Sequence, residues 1–205
     1  MSLSKLKNES ESGLARLLAF FAVALVVFVF SACGSGKPTD LKTLAPADSI
    51  LYLEANDLGK ALDAVTKNEL FGKLTSKKND LSALNGIQIA VVVTGFETSE
   101  KQLTDEASNL NFRPRYAIIA ETHSWESSAI SLAANQLDRF VRSQFGSETK
   151  LDKGIKNGIN FFHWTAPDGR KMFASVTGSQ IFFGNDESLV EKCLAVKRGE
   201  ADSIR

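Results

Sequence analysis

Only two histidines occur in this sequence, His123 and His163, and each has a neighbour that could share its chemistry. Glu121 and His123 lie two residues apart, so on a strand both side chains point to one face. That spacing suits metal ligands and acid–base pairs. His163 stands between Phe162 and Trp164 in a later apolar stretch. If the sheet brought both histidines together with nearby carboxylates, the chain would have the parts of an enzyme or a small-ligand binder. No third ligand is evident, so no metal is expected. Two strand-edge histidines satisfied by solvent or hydrogen bonds are the simpler expectation.

Other catalytic signatures are missing from the sequence. A serine nucleophile on a sharp turn reads Gly-x-Ser-x-Gly. Gly34-Ser35-Gly36 belongs to a tether instead, and Gly178-Ser179 to a hairpin turn. There is no phosphate-binding glycine loop, no dinucleotide fingerprint and no Cys-x-x-Cys. Asp186-Glu187 sits at a helix start, where the helix dipole already favours carboxylates. The expectation is a protein that is not an enzyme and takes no cofactor. Two features point to binding. Residues 97–115 read as a long polar loop carrying Leu110, Phe112 and Arg113 as partner contacts. Phe161, Phe162, Trp164, Phe173, Phe182 and Phe183 fall on three neighbouring strands. Alternation sends adjacent aromatics to opposite faces, so helices are expected on one face and exposed aromatic surface on the other.

The elements that must position these groups can be read in order. Residues 49–55 form a short apolar strand, and Asn56-Asp57 caps a helix over 57–74 with Leu58, Ala61, Leu62 and Val65 on one stripe. Ile87, Ile89, Val91 and Val93 mark a strand, and Tyr116 to Ala120 another. Ser124 is placed to cap a second helix with Ile130, Ala133, Ala134, Leu137, Val141 and Phe145 on its apolar side, closed by Gly146. Strands follow at 159–164, 171–176 and 180–183, joined by Pro167-Asp168-Gly169 and Gly178-Ser179. Asn185-Asp186 caps a last helix through Leu189, Val190, Cys193 and Leu194. The reading is a two-layer α+β fold: an antiparallel sheet with helices on one face, a ferredoxin-like βαββαβ start, then a hairpin and a C-terminal helix. Gly199 to Arg205 closes no element and reads as the start of a further one, as in the first part of a longer protein.

The N-terminus carries the most specific pattern. Lys5, Lys7 and Arg16 precede an apolar run, Leu17 to Phe30, and small residues follow at Ser31-Ala32. A basic start, a run too short to span comfortably and a small-residue end make a secretory signal. Ser31-Ala32-Cys33 resembles the lipobox of bacterial lipoproteins, with Phe30 departing from the usual leucine. The resemblance implies a signal peptide over 1–32, diacylglycerol and palmitate on Cys33, a flexible tether over 33–43 and a folded domain over 44–205. The alternative is an uncleaved anchor helix. Either way the domain is expected outside the cytoplasm, held at a membrane of the cell envelope. If the host has two membranes, Gly34 rather than an aspartate after the cysteine suggests the outer one.

Charge narrows the partners. Three basic and two acidic side chains lie in the first 32 residues, so 21 basic and 22 acidic remain of the 24 of each, spread over the other 173 residues. With no basic surplus, nucleic acid is not an expected partner. Membrane attachment must rest on the acyl chains, at about 0.8 kcal/mol per buried methylene. Cys193, with Cys33 lipidated, has no disulfide partner and reads as a small buried apolar group.

Leu44-Ala45-Pro46-Ala47-Asp48-Ser49, then a strand, Asn56-Asp57-Leu58 and an amphipathic helix, resembles the opening of a group of bacterial envelope proteins known only as a domain of unknown function. Asp168-Gly169-Arg170, Gly178-Ser179 and Gly184-Asn185-Asp186-Glu187 are similar as well. The resemblance covers most of residues 44–199 and rests on turns and caps. Members tend to be longer, and the group brings no catalytic residues to carry over. The function expected is a lipid-anchored, non-catalytic protein that binds or scaffolds other envelope components, the alternative being an envelope enzyme or small-ligand binder using His123 and His163.

Overall fold

In the computed structural model, residues 38–67, 84–104 and 107–204 are described. The signal segment and Cys33 lie outside them, as do residues 68–74 of the helix expected over 57–74. The chain is mixed α+β: the seven strands of the described residues form one antiparallel sheet. In chain order they are β1 (Leu51–Ala55), β2 (Gln88–Thr104), β3 (Ala107–Glu121), β4 (Lys150–Lys156), β5 (Ile159–Thr165), β6 (Lys171–Thr177) and β7 (Gln180–Gly184). Helix α1 (Leu58–Lys67) follows β1. A π turn, Ala133–Leu137, joins α2 (Glu126–Leu132) to α3 (Asp138–Phe145), and α4 (Glu187–Lys197) follows β7.

The sheet order is β1-β2-β3-β7-β6-β5-β4. Two meanders, β1–β3 and β4–β7, meet at a β3–β7 seam. The ferredoxin-like reading required strands split by a third between them. Here β1 and β2 are direct antiparallel neighbours, so α1 makes no crossover. At the seam Gly184 lies so close to β3 that a Cβ would collide with the Tyr116 carbonyl oxygen. The Asn185 side chain fastens the same place, accepting from the Tyr116 N–H at 3.0 Å and donating to the Pro114 carbonyl at 2.8 Å.

Helices cover both faces, which corrects the expectation of one helical layer. On the first face, Ala90, Val92, Ala117, Ile119, Phe173 and Phe182 pack under α4 and a 3-10 turn, Leu41–Leu44. On the second, Phe162, Trp164, Met172, Ala174, Ile181 and Phe183 pack under α2 and α3. The aromatics alternate as the strand period dictates, and the sheet is apolar on both sides, so each side needs its own cover. Leu41 is fully buried, so the folded unit takes in residues expected of the tether. Residues 202–204 are tied to the same corner: the Ala47 N–H donates to the Asp202 carbonyl at 3.0 Å, and the Ile204 N–H to the Ala45 carbonyl at 2.9 Å. Asp186 caps α4, its carboxylate accepting from the Leu189 N–H at 3.1 Å. Ser124 does not cap α2: Trp125 holds that position, and the Ser124 hydroxyl bonds Thr122 at 2.7 Å. Cys193 is buried on the inner side of α4, and burial pushes its thiol up to about 12, as an inert apolar filler would behave.

Candidate functional site

The two histidines do not meet. His163 lies in a cross-strand row with Phe173, Gly184 and Ala117, while His123 lies beyond the end of β3, six residues further along that strand from Ala117. Three strand spacings separate β5 from β3, at about 4.8 Å each. Any shared metal or acid–base pair between them is ruled out by that separation. Among the described residues, no group of three or more His, Cys, Asp or Glu side chains could hold a metal.

His123 instead completes a latch. The buried Gln88 amide oxygen accepts from the Thr39 N–H at 2.8 Å, which fixes which end of the amide is oxygen. His123 Nε2 lies 2.8 Å from that same oxygen, so this nitrogen carries the proton and donates. The Gln88 amide nitrogen donates to the Asn56 side chain at 3.0 Å and to the Thr39 carbonyl at 3.3 Å. Glu121, cross-strand partner of Gln88, accepts the His123 backbone N–H at 2.9 Å and lies 4.0 Å from its Nδ1. These ties hold His123 at φ 50, in the left-handed region. The spacing of Glu121 and His123 does bring them together, in the service of pinning the start of the folded unit to the sheet.

Phe112 and Arg113 lie on β3, so the stretch expected as a loop is a strand. Beyond Val93 the β2–β3 pair continues as a ribbon, Glu97 opposite Arg113 and Thr98 opposite Phe112. A ribbon projecting past the sheet has no core to cover, so its sequence loses the apolar alternation that marks a strand. Phe96 and Phe112 are both exposed there.

His163 sits where functional groups converge. A cavity of about 610 Å³ opens on the first face between α4 and β5–β6, with Lys156 at the end of β4 on its rim. Its floor is Ile159, Phe161 and Phe173, and α4 contributes Val190, Glu191 and Leu194 as a wall. His163 Nε2 is 3.1 Å from a Glu187 carboxylate oxygen, and its ring meets Phe173 edge-on at 4.4 Å between centroids. Glu187 stands in the first turn of α4, where the helix dipole favours a carboxylate. At the other end lie Lys156 and Arg198, the latter paired with Glu200 at 2.6 Å. The groove therefore runs from an acidic end at the helix start to a basic end at its close. Phe161 can lie flat across β4 because position 154 is glycine: a Cβ there would sit 2.8 Å from its ring.

Sequence reasoning found His163 but not its partner. Glu187 read only as a helix-start carboxylate, and β4 was missed altogether. The signal for β4 was Asn157-Gly158, whose positive φ values of 53 and 75 form the β4–β5 turn. No family model, curated protein or solved structure matches this chain. No helix among the described residues is long and apolar enough to cross a membrane.

Proposed function

We propose that this chain is a lipid-anchored binding domain of the cell envelope, held outside the cytoplasm by acylated Cys33, with the β5–α4 groove as its recognition site. The observation that carries the binding reading is the groove itself: an aromatic floor left open between an acidic and a basic end. A cavity of this size suits a ligand of a few tens of heavy atoms. The complementary ligand is amphipathic, with a cationic group toward Glu187 and Glu191, an apolar body over Phe161, and an anionic group toward Lys156 and Arg198. A peptide segment of an envelope protein has that chemistry. The support for the anchor is the sequence from Lys5 to Cys33.

The test is made in the native host. An alkyne palmitate analogue should label the parent and not Cys33→Ser, which should leave the membrane fraction. A photo-crosslinking residue at Lys156 should trap an envelope component that the same residue at Lys171, outside the groove, does not. An unlabelled parent sinks the anchor. Identical trapping at both positions sinks the groove.

One observation favours a second reading, an enzyme or small-ligand binder. The His163–Glu187 pair lies in the groove at 3.1 Å, an arrangement suited to acid–base work. Complementation of a deletion strain by His163→Ala at parental level removes that reading, and loss with normal protein levels favours it.

A further inference from the structure

The two edges of the sheet are built differently. β4 presents Lys150, Lys153 and Lys156 along its length, the usual means of keeping a free strand from pairing. β1, at the other edge, reads Leu-Tyr-Leu-Glu-Ala, with no lysine, no proline and, among the described residues, no further strand beside it. Leu51 and Leu53 are 46% and 57% exposed, and Ile50 just before them is 60% exposed. A single register row makes the contrast plain: Leu53, Val91, Ile118, Phe183, Ala174, Phe162 and Lys153 run across all seven strands. It starts on an exposed leucine and ends on a lysine.

We propose that β1 is the interface of a homodimer, in which two copies join their sheets by antiparallel β1–β1 pairing centred on Leu53. The sequence of β1 is self-complementary in that register. Leu53 meets Leu53 and Leu51 meets Ala55 of the second copy, so apolar side chains meet on the face that carries α2 and α3. On the other face, Tyr52 meets Glu54 of the second copy. Within one chain the Tyr52 hydroxyl already donates to Glu54 at 2.6 Å, so this pair is chemically compatible. Centring the pairing on residue 54 would set Glu54 against itself, which is destabilising. Centring it on residue 52 would put Glu54 against Ile50.

The lysines on β4 decide why the occupant is a second β1. Pairing β1 with β4 of another copy is head-to-tail, and repeats without closing into a filament. It would also bring Lys153, the lysine on the leucine face of β4, into the apolar row. β1–β1 pairing is two-fold and closed, and uses up the unprotected edge. The pairing needs neither the lipid nor the groove.

The test uses the full chain in detergent. Light scattering should report a dimer at micromolar protein, and Leu53→Lys should shift it to a monomer with unchanged far-ultraviolet circular dichroism. Register is read by disulfide trapping, with buried Cys193 silent and the parent as control for Cys33. Leu53→Cys should link to itself at least tenfold faster than the parent. Leu51→Cys should link to Ala55→Cys in a mixture but poorly to itself. A parent that is monomeric throughout overturns the proposal, as does a Leu53→Cys chain that does not link. So does linking of Glu54→Cys to itself as fast as Leu53→Cys, which would mean collision without register.

Discussion

The helices cover the sheet unevenly, and the two places they leave open differ in kind. On the first face α4 stops short of β4–β5, and the uncovered strip became a groove with charged ends and a histidine. On the second face α2 and α3 lie over the β4–β7 meander, and the uncovered strip at β1 is Leu51, Leu53 and Ala55, apolar and without charge. A charged rim around an aromatic floor suits a ligand that comes and goes. A bare apolar edge suits a surface that stays covered. The same seven strands thus hold a site and a seam, and what separates them is which residues each edge strand carries.

The largest expected effects come from what both places depend on. Trp164 is fully buried under α3, stacks on Phe162 and donates from Nε1 to Asp138 at 3.0 Å. It backs the strand whose other face is the groove floor. Trp164→Ala should cost about 3–5 kcal/mol in urea unfolding of the full chain. Leu53→Ala, at the exposed edge, should change unfolding of the monomer by no more than about 0.5 kcal/mol. A comparable cost for the two would mean the β1 corner is part of the core, and the contrast would fail. Gly184→Ala should come next, at about 1–3 kcal/mol, because its Cβ cannot fit beside the Tyr116 carbonyl without parting β3 from β7.

An intermediate effect is expected at the start of α4, the wall of the groove. Burial pushes the Asp186 carboxyl pKa up, but the Ser188 hydroxyl, the Leu189 N–H and the charge of Arg115 outweigh it, and the net shift is downward. A carboxyl whose folded pKa is depressed contributes stability above its ordinary value and loses it as pH falls through the folded one. Asp186→Ala should therefore cost about 1 kcal/mol at neutral pH, and the gap to the parent should close on acidification. A gap that persists unchanged through the acid range would mean the cap acts by geometry alone. A smaller change is expected from Gly154→Ala. The clash falls on the far end of the Phe161 ring, which can swing into the groove, so stability should fall by less than about 1 kcal/mol. Crosslinking from Lys156 should nonetheless drop, because the floor has moved.

How much of this was legible in the sequence follows from how each element is buried. The strands of the β5–β7 meander and the cap at Asp186 were read correctly, since their side chains face a core and their turns carry glycine. β4 and the outer ribbon of β2–β3 were not, because an edge strand and a projecting ribbon have little or no core to face. Their polarity made them look like loops. The layer count failed for a related reason. Alternating aromatics told that both faces were apolar, yet nothing local says which helix crosses to which face; that depends on long-range pairing such as the seam between β3 and β7, residues nearly 70 apart in the chain. Of the site, His163 was found by type, while Glu187 needed the fold to bring α4 over β5.

The finest test exchanges the features of the two edges. Lys153 and Leu53 end the same row, and neither is needed for the packing in its middle. Leu53→Lys should leave monomer stability within about 0.5 kcal/mol while abolishing association through β1. Lys153→Leu should be equally quiet in unfolding, but the new side chain would then join Leu151 and Ile155 along one face of β4, giving it the apolar edge that β1 has now. With β1 intact, that single change opens the head-to-tail route and should produce concentration-dependent higher oligomers by light scattering. Combined with Leu53→Lys, it should restore dimers, now joined through β4. If Lys153→Leu leaves the dimer unchanged at every concentration, lysine is not what protects that edge, and the contrast between the two edges must rest on Gly154 and the lie of Phe161 over it instead.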